Sequence, residues 1–162
     1  MILVGLGGNL AGDFGGPQST LEAALARFPD FGLGVARRSP WYRSEPVPVS
    51  DQPWYVNGVA VLDRAPAPAE LLHALQDIEA EFGRRRSVAN AARTLDLDLL
   101  AYDEQVWDTP DLVLPHPRLH LRAFVLYPLC DVAPAWRHPV NRLSAAEMVA
   151  ALPPGQRLER LP

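Results

Sequence analysis

An α+β fold is predicted for this chain, a ferredoxin-like βαββαβ antiparallel sheet with flanking helices in three α-β-α layers, and three observations lead there. Segments of strand and helix periodicity follow one another as strand, helix, strand, strand, helix, strand, with helical additions behind them. The stretch Leu95-Asp96-Leu97-Asp98-Leu99 alternates strictly, the period of a strand with one buried face. Leu71, Leu75, Ile78 and Phe82 recur at the helical period behind Pro68, a residue suited to a first turn. Neither an internal repeat nor a composition break divides the sequence, so one domain over residues 1–162 is expected.

Taken in order, Met1 to Leu6 reads as a short buried strand that enters a turn-rich segment, Gly7-Gly8-Asn9-Leu10-Ala11-Gly12. Thr20 can cap a helix that places Leu21, Leu25 and Phe28 on one face. Val35 to Tyr42 and Tyr55 to Leu62 carry strand composition, and the loop between them, with Pro46, Pro48 and Pro53, is too irregular for a tight hairpin. The Pro68 helix, widened by Leu72, ends at Gly83. An arginine-rich loop then leads into the strand Leu95 to Tyr102, and Gln105 to Trp107 is expected to pair back on it across Asp103-Glu104. A helix from about Arg122 to Leu129 and a last one from Ser144 to Leu152 follow, the latter with Glu147 at the capping-box position of Ser144.

Composition narrows the chemistry. A formal net charge of −4 and an isoelectric point near 5.5 speak against nucleic acid and against a polybasic membrane surface, which leaves small molecules as partners. All 15 basic residues are arginine, so a P-loop lysine, a Schiff-base lysine and a lysine general base are excluded. The single cysteine, Cys130, sits in an apolar run and reads as a small buried hydrophobe. Met1 to Gly8 has no basic n-region and breaks at glycines too early for a signal peptide or a span, so a reducing cytoplasm is expected.

Asp96 and Asp98 share a strand face and lie about 6.6 Å apart at Cα, where two like charges repel by about 2.5 kcal/mol at an effective dielectric of 20. Something positive belongs between them. With Arg84, Arg85, Arg86 and Arg93 just upstream, the segment holds both metal ligands and phosphate clamps, the parts that phosphoryl transfer requires, although solvated charges on a half-exposed strand share that pattern. Tyr55 and Asn57 also share a face, offering an aromatic plane and an amide to a flat heterocycle, as a core tyrosine beside a satisfied asparagine would. Glu79 falls at the margin of its helix's apolar stripe and reads as a surface glutamate. His116 and His120 have metal spacing only in a helix, which Pro117 opposes. Gly5-Leu6-Gly7-Gly8-Asn9-Leu10 lacks the third glycine of a dinucleotide fingerprint and reads as a turn needing positive φ.

In combination these segments carry a resemblance. Gly8-Asn9-Leu10, Ser39 to Pro46, Asp51 to Asn57, Ile78-Glu79 with Gly83-Arg84, Arg93 to Asp98, and Pro115-His116-Pro117-Arg118 with Arg122 to Leu126 stand in an order that resembles the 6-hydroxymethyl-7,8-dihydropterin pyrophosphokinases, over nearly the whole chain. The resemblance implies transfer of a pyrophosphoryl group from ATP to the pterin hydroxymethyl group in tetrahydrofolate biosynthesis by a monomer. It implies two Mg²⁺ ions on Asp96 and Asp98, and a pterin ring between Tyr55 and Phe124 with Asn57 on its edge. Ser44, Pro46 and Val47 would line the rest of the pterin site. Glu79, Arg93, Leu97, His116 and Arg122 would surround the nucleotide, with Arg84 and Arg86 in a closing loop. The chain departs from many relatives in Asn90-Ala91-Ala92-Arg93, without their tryptophan or proline, and in Asp111 and Val113 near the nucleotide. A metal-dependent phosphohydrolase and a non-catalytic binding module remain the competing readings of the same acids and arginines.

Overall fold

The computed structural model describes residues 1–10, 14–46, 48–83 and 95–162. Val47, the arginine-rich loop with Arg84, Arg86 and Arg93, and the Asn90 to Ala92 departure lie outside the described residues. The strands are β1 (Ile2–Gly8), β2 (Gly34–Arg38), β3 (Tyr42–Ser44), β4 (Tyr55–Arg64), β5 (Asp96–Tyr102), β6 (Trp107–Asp108), β7 (Val113–Leu114) and β8 (Leu158–Arg160). The α-helices are α1 (Pro17–Arg27), α2 (Pro68–Glu81), α3 (Ala123–Val132) and α4 (Ala145–Ala150).

Every pairing in the main sheet is antiparallel, in the order β5-β1-β4-β3-β8, with β2 beside the second half of β4. Alternation along the strands sorts the core onto two faces. Val4, Leu6, Leu97 and Leu99 pack with Leu21 and Phe28 from the α1 region and Leu71, Leu75 and Ile78 of α2. Leu3, Val59, Val61 and Leu100 pack with Leu126 and Leu129 of α3 and Met148 of α4. Helices therefore cover both faces of an antiparallel sheet.

Several local readings need correction. Val35 to Tyr42 is two strands, because Pro40 has no N–H to give a ladder and the Ser39 hydroxyl takes the Val59 N–H instead, at 2.9 Å. Helix α1 begins at Pro17 with Gly16 as its cap, and the Thr20 hydroxyl donates back to the Gly16 carbonyl at 3.0 Å. The Gln105 to Trp107 segment does not return to β5: Trp107 and Asp108 pair with Leu114 and Val113 in a separate two-stranded sheet. Cys130 is half-buried rather than fully buried, and its burial raises the thiol pKa. The α4 cap is as expected, with Ser144 and Glu147 forming a reciprocal capping box. Gly83, at φ +79°, stands just past α2 where a left-handed residue closes a helix.

Candidate active site

Glycine, not a loop, makes room for the site. Gly5 and Gly7 lie within β1 and point to the α3 face, where Gly7 is in register with Asp96 of β5 on one side and Asn57 of β4 on the other. Gly5 is likewise opposite Asp98. Two missing side chains thus leave a trough across three strands, walled by aspartates on one flank and Asn57 on the other. The glycine run was read as a positive-φ turn; it is extended strand through Gly8, and the need at Gly7 is close approach. A Cβ there would stand 2.8 Å from Asn57 Nδ2. Gly7→Ala is expected to displace the Asn57 amide and raise the Kd for a ligand in this trough about tenfold or more, by loss of one buried hydrogen-bonding group. Isothermal titration of the variant checks this.

The trough opens into a cavity of about 200 Å³. Of the residues singled out from the sequence, Ser44, Pro46, Tyr55, Asn57, Asp96, Asp98, Arg122 and Phe124 all line it, and Gly5, Gly7, Ser50 and Gln52 join them. The first strand's glycines at i and i+2 were the signal available for two of these. Asn57 is buried, and its side-chain carbonyl accepts from the Ser44 hydroxyl at 2.6 Å, which fixes the amide and leaves its NH₂ end toward Gly7. Asn9, buried under the rim, donates to Gln52 Oε1 and the Pro53 carbonyl at 3.0 and 3.1 Å and so ties the long loop to the end of β1. Arg122, at the start of α3, stands 4.0 Å from the Asp98 carboxylate and places its guanidinium 5.4 Å from the centre of the Phe124 ring.

Glu79 is not on the surface. It is 2% exposed, and one of its carboxylate oxygens accepts the Leu97 N–H at 2.8 Å. Strand β5 is an edge of the sheet, so N–H groups on its outer side lack a strand partner. Glu79 caps the one between the two aspartates. The Leu97 side chain lies in the α2-face core, and neither it nor Glu79 lines the cavity. His116 also stands outside the lining residues, but in the field of Asp96, Arg122 and Arg118. Burial first, then the two arginines, pushes its pKa down to about 4, with Asp96 opposing. Its Nδ1 accepts the Arg118 N–H at 3.1 Å, so the neutral ring carries its proton on Nε2.

His138, buried among Trp136 and His120, is pushed down by burial and by His120. Both histidines have folded-state pKa values below the unfolded value near 6.5, so the unfolded chain takes protons first as the pH falls. Their stabilisation is complete above pH about 6.5 and is lost as the pH drops toward the folded-state values. Urea midpoints are expected to fall between pH 7 and pH 5. His138→Asn, whose side-chain oxygen can accept the Val140 and Asn141 N–H groups that now bond Nδ1, is expected to flatten part of that slope.

Metal fit rests on Asp96 and Asp98 alone: among the described residues no group of three or more His, Cys, Asp or Glu is arranged to hold an ion. Two hard carboxylates facing one cavity suit Mg²⁺, which takes one or two carboxylates and fills its remaining positions with water and substrate phosphates.

Residues 3–134 match the family model of 7,8-dihydro-6-hydroxymethylpterin-pyrophosphokinase. The chain belongs to this family. It is 47% identical over 164 residues to the 2-amino-4-hydroxy-6-hydroxymethyldihydropteridine pyrophosphokinase of Pseudomonas aeruginosa, spanning 99% of this chain and 96% of that one. Identity to the enzyme of the same name from Synechocystis is 41% over 148 residues, spanning 91% of this chain and 73% of the relative. A solved Plasmodium falciparum HPPK-DHPS structure superposes with a TM-score of 0.70 at 14% identity, over 93% of this chain and 44% of that longer one, a likeness of fold. As a pyrophosphokinase of this family, the protein transfers a pyrophosphoryl group to the hydroxymethyl group of the dihydropterin in folate biosynthesis, with ATP as co-substrate.

Proposed function

We propose that the cavity on the α3 face is the pterin site of this pyrophosphokinase and that its aspartate flank is where the pyrophosphoryl group is transferred. The observation that carries the reading is the register: Asp96, Gly7 and Asn57 stand side by side on three adjacent strands, so a flat ligand held by Asn57 has its far side at the carboxylates. Tyr55 and Phe124 enclose the ring, and the fixed Asn57 amide bonds its edge. Ser44 and Pro46 close the rim, and the role that the resemblance gives Val47 in pterin binding is kept as part of this reading. Asp96 and Asp98 would hold Mg²⁺, two ions by the family resemblance, and the metal would supply neutralisation of phosphate charge and a more acidic pterin hydroxyl. Arg122, between Asp98 and Phe124, sets phosphate and pterin in register. Asp98, on the same flank, accepts the hydroxyl proton at its carboxylate. His116 donates from Nε2 toward the phosphates as a neutral ring, and Arg84, Arg86 and Arg93 supply the positive charge that the β-phosphoryl group meets as AMP leaves. Glu79 and Leu97 act on the nucleotide side through the strand they brace. No covalent carrier on the protein is required.

The strand order, with the first strand between the last strand of the βαββαβ core and its third, supports a ferredoxin-like topology. A single domain acting as a monomer completes this reading, as the family resemblance implies. No helix among the described residues is long and apolar enough to cross a membrane, and a cytoplasmic enzyme is in keeping with that.

The test is turnover with ATP, with and without 6-hydroxymethyl-7,8-dihydropterin, in protein stripped of metal and then given Mg²⁺. AMP and the pterin diphosphate are expected only when pterin and Mg²⁺ are both present. Phosphate release from ATP without the pterin would instead favour a phosphohydrolase.

A further inference from the structure

We propose that the C-terminal segment 155–161 is a strap that positions both walls of the pterin cavity, with Gln156 as its positioning residue. The inference rests on the cavity being the pterin site. Pro153-Pro154-Gly155 turns the chain, with Gly155 at φ +104°, and β8 then pairs along β3 with Leu158 opposite Ser44. One residue further, the Glu45 N–H donates to the Arg157 carbonyl at 3.0 Å. The strap thereby fixes the Ser44 to Pro46 wall.

Gln156 reaches the opposite wall. Its side-chain carbonyl accepts the Ala123 N–H at 2.9 Å and its amide donates to the Leu121 carbonyl at 2.9 Å. Ala123 is the first residue of α3, and no side chain of Arg122, the residue at the cap position, bonds the helix end. Gln156 therefore does from a distance what an N-cap side chain does locally, satisfying a first-turn donor. The two backbone groups it clamps flank Arg122, and Phe124 follows directly. Both side chains line the cavity. One short segment thus spans the site behind its two walls, beyond residue 134, where the match to the family model ends.

A positioning role predicts a kinetic effect larger than the stability effect. Gln156→Ala is expected to raise KM for 6-hydroxymethyl-7,8-dihydropterin about tenfold, from loss of two hydrogen bonds that hold the α3 start. Its Tm is expected to stay within about 3 °C of the parent. Gln156→Glu keeps the acceptor for the Ala123 N–H and is expected to return KM to within about threefold of the parent. Arg137→Ala, which breaks a surface ion pair to Glu147 in the same C-terminal region, is the control and is expected to behave as the parent. Phe124→Ala separates the two ideas. If it weakens pterin binding while Gln156→Ala keeps KM within about twofold of the parent, the strap proposal is overturned and the pterin site stands. If Phe124→Ala leaves pterin binding unchanged, the pterin site and the strap fall together. A lowered Tm with unchanged KM in Gln156→Ala also overturns the proposal, since Gln156 then only braces the tail. Should Gln156→Ala fail to fold, Gln156→Asn, with its amide withdrawn by one methylene, takes its place under the same outcomes.

Discussion

Asp98→Asn is expected to slow pterin-dependent AMP formation by about 10³-fold or more, the scale on which loss of a metal-positioning or charge-stabilising group acts. Asp96→Asn is expected to act similarly, since both carboxylates lie on one face of β5 and both line the cavity. Neither change is expected to unfold the protein. Both side chains are only half-buried, and amides of the same shape remove a like-charge repulsion. Melting temperature within about 3 °C of the parent, set beside the rate, checks this. A variant that loses stability in step with activity would assign the aspartates to the fold rather than to transfer. Excess Mg²⁺ is expected to restore part of the Asn variants' rate, because the remaining carboxylate and the phosphates still offer oxygen ligands.

Glu79→Ala is expected to do the reverse, costing stability first. It leaves the Leu97 N–H without its carboxylate acceptor in a buried place, a penalty of about 2–3 kcal/mol. For a domain of this size that lowers Tm by about 4–12 °C. Activity is expected to fall too, because Leu97 sits between the two aspartates and a shift in its backbone turns both carboxylates. Glu79→Gln keeps an oxygen for the same N–H and is expected to recover most of the stability. Thermal melts of the two variants decide it, and a Glu79→Ala protein with the parent's Tm would show that the Leu97 bond does not hold the strand.

Period-two reasoning worked where a strand's two faces differ in chemistry. Asp96 with Asp98 and Tyr55 with Asn57 were paired from spacing alone, and the structure puts all four around one cavity. What spacing could not do was join them to Arg122 and Phe124, which come from a helix across the sheet. Only the family resemblance brought those in. Glu79 was misjudged because one helical position beyond a buried isoleucine reads as surface, whereas the edge of β5 supplies a buried N–H that draws the carboxylate inward. The glycines of β1 misled for a related reason: a glycine needed for close approach looks the same in sequence as one needed for a turn. Strand β8 has one apolar residue in three and exists by pairing with β3, a tertiary effect with no local signal. Gln156 has none either.

The most direct measurement is a crystal structure of the ternary complex with Mg²⁺, a non-hydrolysable ATP analogue and 6-hydroxymethylpterin. The account predicts the pterin ring between Tyr55 and Phe124, its edge on Asn57, its hydroxymethyl group toward Asp96 and Asp98, and metal density shared by those two carboxylates. A pterin seated elsewhere, for example in the surface trough beside Arg38 and Trp41, or metal density that touches neither aspartate, would contradict it.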